Sequence, residues 1–274
     1  MRTPLIAGNW KMYKTAPEAA AYASQFLPLV AELANVEIAL CPPATDLKTL
    51  ADALGGSQVA LGAQDLFWKE EGAYTGMIAP RMLVDLCCRY AIVGHSERRG
   101  RFGKADPDLT LEAMAVFGDN DETVNRKVRA AVAAGLTPIM CCGEMLSERD
   151  AGQTEPVVRR QVELGTQGLH PEQVAGMVIA YEPVWAIGTN RICKPEDANA
   201  VISMIRRLVQ GRFGEAAARQ VRLQYGGSVK SANVRDQMLQ PEIDGALVGG
   251  SSLDPAEFAA ICRLAAEAAR TRAC

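Results

Sequence analysis

The sequence predicts an α/β fold closed as a (β/α)8 barrel, and three observations predict it. Short apolar runs recur at residues 5–8, 36–40, 59–62, 91–94, 138–142, 177–180, 221–224 and 245–249. Each is rich in Val, Ile, Leu and Ala, as parallel strands buried on both faces are. Helical patterns lie between them, at residues 17–33, 79–88, 121–134, 155–168, 195–209, 231–239 and 255–269, and such alternation in one chain of this length fits a closed barrel. The rival is a doubly wound open sheet. It usually carries a Gly-rich dinucleotide turn after its first strand, and Gly8-Asn9-Trp10-Lys11 is not one.

The elements can be justified in order. Thr15-Ala16-Pro17 supplies a cap and a first-turn proline for the first helix. Cys87 and Cys88 are expected as small apolar residues of the helix at 79–88, and Cys262 as one of the helix at 255–269. The strand at 177–180 is stopped by Pro183, just after Glu182. Leu169-His170-Pro171-Glu172 reads as a helix boundary, and Ser252-Leu253-Asp254-Pro255 repeats the cap-and-proline start. No composition shift marks a linker, so residues 1–274 are expected to form one domain.

The chain has 274 residues, 49% hydrophobic and 22% charged, enough for a sizeable core. A net charge of −3 gives no bulk attraction to nucleic acid or an anionic membrane, and neither is an expected partner. No apolar run is long enough to span a bilayer, and Met1-Arg2-Thr3-Pro4 leads straight into a strand, so no leader is expected. Eight cysteines without a CxxC or Cys/His zinc spacing point to reduced thiols, a cytoplasmic location and no metal.

A barrel builds its site at the carboxyl ends of its strands. Those ends carry Asn9, Lys11, Gln64, Asp65, His95, Ser96, Glu97, Glu144, Glu182, Ser228, Gly249 and Gly250. After Glu182 comes an apolar loop, Pro183-Val184-Trp185-Ala186-Ile187-Gly188-Thr189. An apolar loop beside an acid suggests a lid that dries the carboxylate when it shuts. The alternative is a strand-end surface Glu beside a loop packed in the core.

The motifs Gly8-Asn9-Trp10-Lys11-Met12, Val93-Gly94-His95-Ser96-Glu97-Arg98-Arg99, the Glu182 segment, Tyr225-Gly226-Gly227-Ser228 and Gly245-Ala246-Leu247-Val248-Gly249-Gly250-Ser251 occur in this order. Together they resemble the triosephosphate isomerase family, whose fold is the TIM barrel, and they cover almost the whole chain. The resemblance implies an isomerase of glycolysis and gluconeogenesis. It would interconvert dihydroxyacetone phosphate and D-glyceraldehyde 3-phosphate without a cofactor.

By the same resemblance, Glu182 is the base, His95 a neutral electrophile and Lys11 the cation facing the developing charge; the pairing of a glutamate base with a neutral histidine is the standard account of that enzyme. Asn9 would orient substrate oxygens, while Gly188, Ser228, Gly249 and Gly250 would present N–H groups to the phosphate. Ser96 and Glu97 would support His95 and Lys11, and the segment 183–189 would be the lid. The loop 64–76 would insert into a second copy, making a homodimer with Met12, Gln64, Tyr74 and Thr75 at the interface.

The chain departs from the family pattern twice. After His95 it is longer, and it holds two Phe-Gly pairs, Phe102-Gly103 and Phe117-Gly118, where the family has one. The second fits better, because Asp121 onward continues into a good helix. Residues 100–116 are therefore expected as an insertion after strand 4, lying on the surface with a short amphipathic helix (Leu109, Leu111, Met114, Val116). The lid also ends in Asn190 where glycine is usual and runs into Ile192-Cys193, so altered lid kinetics are expected. Two alternatives stay open: an isomerase of another small phosphorylated ketose, of four carbons, and a non-catalytic phosphate-binding barrel.

Overall fold

The computed structural model describes residues 2–104, 108–110, 112–189 and 191–273. Among these, eight strands run parallel and in sequence order around a closed barrel. They are β1 (Leu5–Asn9), β2 (Glu37–Cys41), β3 (Val59–Ala63), β4 (Cys88–Val93), β5 (Thr137–Cys142), β6 (Val178–Tyr181), β7 (Arg222–Tyr225) and β8 (Gly245–Val248). Closure is made by β1, whose Leu5 pairs with Glu37 of β2 on one side and Gly245 of β8 on the other.

The apolar runs split by parity, because successive side chains of a strand point to opposite faces. Leu5, Ala7, Ala39, Cys41, Tyr90, Ile92, Ile139, Cys141, Val178, Ala180 and Leu247 pack together inside the barrel. Ile6, Ile38, Leu40, Ala91, Val93, Met140, Ile179 and Leu223 point outward, into the layer between barrel and helices. The amino-terminal mouth is closed by polar bonds: Arg222 reaches Glu37 at 2.5 Å and the Tyr90 hydroxyl at 3.0 Å. The residues expected to form the site lie at the opposite, carboxyl end.

The helices that cover the barrel are α1 (Ala16–Val30), α2 (Leu47–Ala53), α3 (Pro80–Asp85), α4 (Asp121–Ala133), α5 (Leu146–Asp150), α6 (Thr154–Gly165), α7 (Pro171–Gly176), α8 (Pro195–Gln220), α9 (Ser231–Met238) and α10 (Pro255–Ala273). Four of them, α2, α3, α5 and α7, run five to seven residues, too short for an apolar face to repeat over two full turns. α8 runs well past the expected residue 209 and breaks at Gly214, where φ is 86°. Cys262 lies buried in α10 as expected, but Cys87 and Cys88 are not helical. Cys87 turns the chain at φ 58° and is exposed, while Cys88 opens β4 opposite Leu61. Strand pairing cuts the helical pattern short.

The segment between β4 and α4 also differs from expectation. Past Gly100, its only helical turn among the described residues is a 3-10 turn at Ala113–Val116, which buries nothing and leaves Val116 76% exposed. A short amphipathic helix needs an apolar face to cover, and the outer wall here is already covered by α4. Leu111 lies outside the described residues. Instead of projecting, the first part of the segment packs down: the Phe102 and Phe117 rings meet edge to face at 5.2 Å, and Arg101 pairs with Glu148 of α5.

Candidate active site

Each expected strand-end residue has a definite place. Lys11 follows β1 in the left-handed region at φ 53°, an arrangement that costs about 1–3 kcal/mol for a non-glycine residue. It is held by its surroundings. Its N–H donates to Asn9 Oδ1 at 3.1 Å, its carbonyl accepts from Gln64 Nε2 at 2.8 Å, and its ammonium meets Glu97 Oε1 at 2.5 Å. Gln64 thus acts within its own chain, bracing the Lys11 turn against β2 through a second bond to the Cys41 carbonyl at 2.9 Å.

His95 caps the 3-10 turn Ser96–Arg99 that follows β4. Its Nδ1 accepts the Glu97 N–H at 3.3 Å, and its Nε2 lies 2.8 Å from Glu182 Oε1. An acceptor nitrogen carries no proton, so this pattern assigns the ring proton to Nε2. Glu182, at the end of β6, also accepts the Ser96 N–H at 3.0 Å. Burial pushes the Glu182 carboxyl up, but the contact with His95, the Ser96 N–H and Lys11 outweigh it and hold it below the usual range. Burial pulls the His95 ring down, while Glu182 and then Glu97 push it up, and the net direction is upward.

A cavity of about 460 Å³ opens beside these groups, lined by Asn9, Lys11, His95, Gly188, Ser228 and Gly249 among others. Ile187, Gly227 and Gly250 complete that wall. Glu182 is buried behind His95 and does not line it. Two glycines make room for this acid: Gly226 of the Tyr225–Ser228 motif, and Gly143, to which sequence reasoning gave no role. A methyl on Gly226 would stand 3.0 Å from Glu182 Cγ, and one on Gly143 would overlap the Glu182 carbonyl. A glycine after a strand that faces the acid's strand was the available signal.

The segment after Glu182 is neither a free loop nor simply core. Val184–Ala186 forms a buried 3-10 turn. The Trp185 indole donates to Glu144 Oε1 at 2.8 Å, the same oxygen that accepts the Tyr181 hydroxyl at 3.0 Å, and Arg149 stacks 4.4 Å over the ring. Ser228 Oγ donates to the Ala186 carbonyl at 3.1 Å, and Thr189 Oγ1 to the Trp185 carbonyl at 2.9 Å. Gly188 takes φ 66°. Asn190, expected to end the lid, lies outside the described residues, as does Cys274. Ile192 is 81% exposed, whereas Cys193 is buried and its thiol is pushed up to about 12 by burial.

The arginines after His95 find carboxylates that the sequence did not assign. Arg99 pairs with Asp121 at 2.8 Å and Arg98 with Asp65 at 3.0 Å. Asp119 of the second Phe-Gly pair sits with Lys127 at 2.7 Å and accepts nothing from either arginine side chain. Met12 is 94% exposed, and Tyr13, Tyr74 and Met77 are exposed as well. Thr75 is exposed too. Among the described residues no group of three or more His, Cys, Asp and Glu is placed to hold a metal ion, and no helix is long and apolar enough to cross a membrane.

A closed parallel barrel that brings a lysine, a histidine and a buried glutamate together at the carboxyl ends of its strands has the make-up of a (β/α)8-barrel isomerase. The family model described as triosephosphate isomerase matches residues 4–265. The triosephosphate isomerase of Symbiobacterium thermophilum is 54% identical over 268 residues, 98% of this chain and 99% of that protein. That of Chloroflexus aurantiacus is 49% identical over 258 residues, 94% of this chain and 97% of that one. The crystal structure of triosephosphate isomerase from Bartonella henselae superposes with a TM-score of 0.81 at 35% identity, over 96% of this chain and 98% of that one. The chain belongs to the triosephosphate isomerase family.

Proposed function

We propose that this enzyme interconverts dihydroxyacetone phosphate and D-glyceraldehyde 3-phosphate through an enediolate, with Glu182 moving the proton between the two carbons. The observation that carries the reading is the close approach of Glu182 Oε1 to His95 Nε2 at 2.8 Å, the base and the electrophile meeting beside a cavity that Lys11 also lines. A substrate must separate the pair, so Glu182 swings from its bonds to His95 and Ser96 toward a carbon. Pro183 and the lid follow Glu182 directly, which ties that swing to lid movement.

Once Glu182 leaves, His95 loses the largest influence raising its pKa, and burial and Lys11 push the ring toward its neutral form. A neutral Nε2–H then donates to the substrate oxygens as charge develops on them. Lys11 supplies the cation, and Asn9 orients the same oxygens. Gly188, Ser228, Gly249 and Gly250 line the far wall and suit a dianion bound by main-chain N–H groups, with the turn Gly250–Leu253 starting there. Ser96 and Glu97 hold Glu182 and Lys11 in their starting positions. The test is a coupled assay with glyceraldehyde 3-phosphate beside a four-carbon ketose phosphate. Turnover of the triose alone supports the reading; preference for the longer sugar sinks it.

The depressed titration of Glu182 sets a pH profile. kcat/KM reports the free enzyme, in which this carboxyl stays ionised below its ordinary 4.5. A group of lowered pKa keeps its charge as the medium acidifies. Loss of kcat/KM between about pH 7 and 5 should therefore follow the substrate phosphate, whose second ionisation lies near ~6. His95→Gln removes the strongest downward influence, so the limb belonging to Glu182 should move up. Profiles of both proteins check this, and an unmoved limb would reject the assigned cause.

The same proposal extends to a homodimer in the cytoplasm. Met12 and Tyr13 after β1, and Tyr74 and Met77 in the loop 64–76, leave large apolar side chains exposed, as residues that a partner covers do. A second hollow of about 290 Å³, lined by Met12, Gln64, Glu97 and Lys11, would receive the partner's loop 64–76. Wild-type protein should sediment at twice the chain mass and Thr75→Arg at the single mass. A monomeric wild type would end this part of the reading.

A further inference from the structure

Residues 100–103 are packed between the functional parts of the site. Gly100 closes the turn that carries His95, donating its N–H to the Glu97 carbonyl at 3.0 Å, and the Arg101 N–H donates to the Ser96 carbonyl at 2.9 Å. The Arg101 guanidinium grips both oxygens of Glu148 and donates to the Gly143 carbonyl at 3.3 Å. Gly143 in turn lies against the backbone of Glu182. Two residues further on, Gly103 lies flat on the lid. A methyl built there would fall well inside the contact radius of the Val184 and Ile187 carbonyl oxygens, and 3.3 Å from Thr189 Cγ2. Those oxygens belong to backbone, so no rotamer change in the lid could relieve the overlap.

We propose that Gly103 is a positioning residue for the lid: clamped from behind by Arg101, it forms a notch that holds the turn Val184–Ile187 in its present place and so sets how readily the lid leaves it. The inference rests on the isomerase reading above and adds to it a contribution from the segment after β4. Lid opening and closing compete for one population, and a contact made in only one position shifts the balance toward that position.

The test is Gly103→Ala. The added methyl disfavours the present lid position, so a ligand that needs the lid elsewhere binds more tightly. The inhibition constant of 2-phosphoglycolate, a two-carbon phosphorylated carboxylate, should fall about threefold or more, and KM should fall without a rise in kcat. Hydrogen exchange at the Ala186 and Ile187 amides should quicken. General damage to the fold would instead weaken binding, so tightening separates a notch from a merely structural glycine. Weaker or unchanged binding overturns the proposal. If Gly103→Ala fails to fold, Arg101→Met loosens the clamp and should move the inhibition constant the same way by a smaller factor; no change there overturns it equally. Failure of the wild-type enzyme to turn over triose phosphate would strike the isomerase reading, whereas normal wild-type turnover with an indifferent Gly103→Ala strikes the notch alone.

Discussion

Glu182→Gln should lower kcat by at least about 10²–10⁴-fold, the usual yield of a general acid–base group, while phosphate-ligand binding is largely kept. The substitution is close to isosteric, and the buried amide can still accept the Ser96 N–H that the carboxylate accepts at 3.0 Å. It cannot take a proton from carbon. Because the cavity is walled by Lys11, Ser228, Gly249 and Gly250 and not by Glu182 itself, the affinity for a phosphorylated ligand should hardly change. Steady-state assays in both directions, with a direct binding measurement, check the result. Turnover within about tenfold of wild type would return the protein to the non-catalytic phosphate-binding reading.

Lys11→Met should lower kcat/KM by about 10²–10³-fold, as loss of one preorganised group facing developing charge does. Methionine keeps the length of the stem and removes the ammonium. The cost falls on both terms, since the cation faces phosphate and enediolate together: KM should rise and kcat fall. Glu97, which meets the ammonium at 2.5 Å, would be left as an unbalanced acid near the substrate oxygens. The backbone braces from Asn9 and Gln64 remain, so the left-handed turn and the fold should survive, which circular dichroism can verify. A variant that keeps its kcat/KM would show that Lys11 is a solvated rim residue.

The barrel was legible because its strands are buried on both faces, and a run of Val, Ile, Leu and Ala has few other uses in a chain of this charge. Helix limits were read less well where pairing overrode periodicity. Cys88 continues an apolar helical pattern, yet its register with Leu61 makes it strand. The site residues were legible as motifs at strand ends. Their mutual arrangement was not: nothing in the order of residues says that Glu182 rests against His95 Nε2 and the Ser96 N–H, or that Gly143 and Gly226 leave the room for it.

The segment after β4 marks the limit most clearly. Its composition suggested a surface helix, whereas Arg101 and Gly103 fasten it to α5 and to the lid. Arg98 and Arg99 likewise found partners in Asp65 and Asp121, which no local pattern couples to them. What the sequence by itself determined is the succession of strands and helices and the chemical identity of the groups at the strand ends, because both depend on residue type and near-neighbour spacing. The tertiary structure alone decided which groups touch, which are shielded from water and what each acid is paired with. Those are properties of residues far apart along the chain that barrel closure brings within hydrogen-bonding reach.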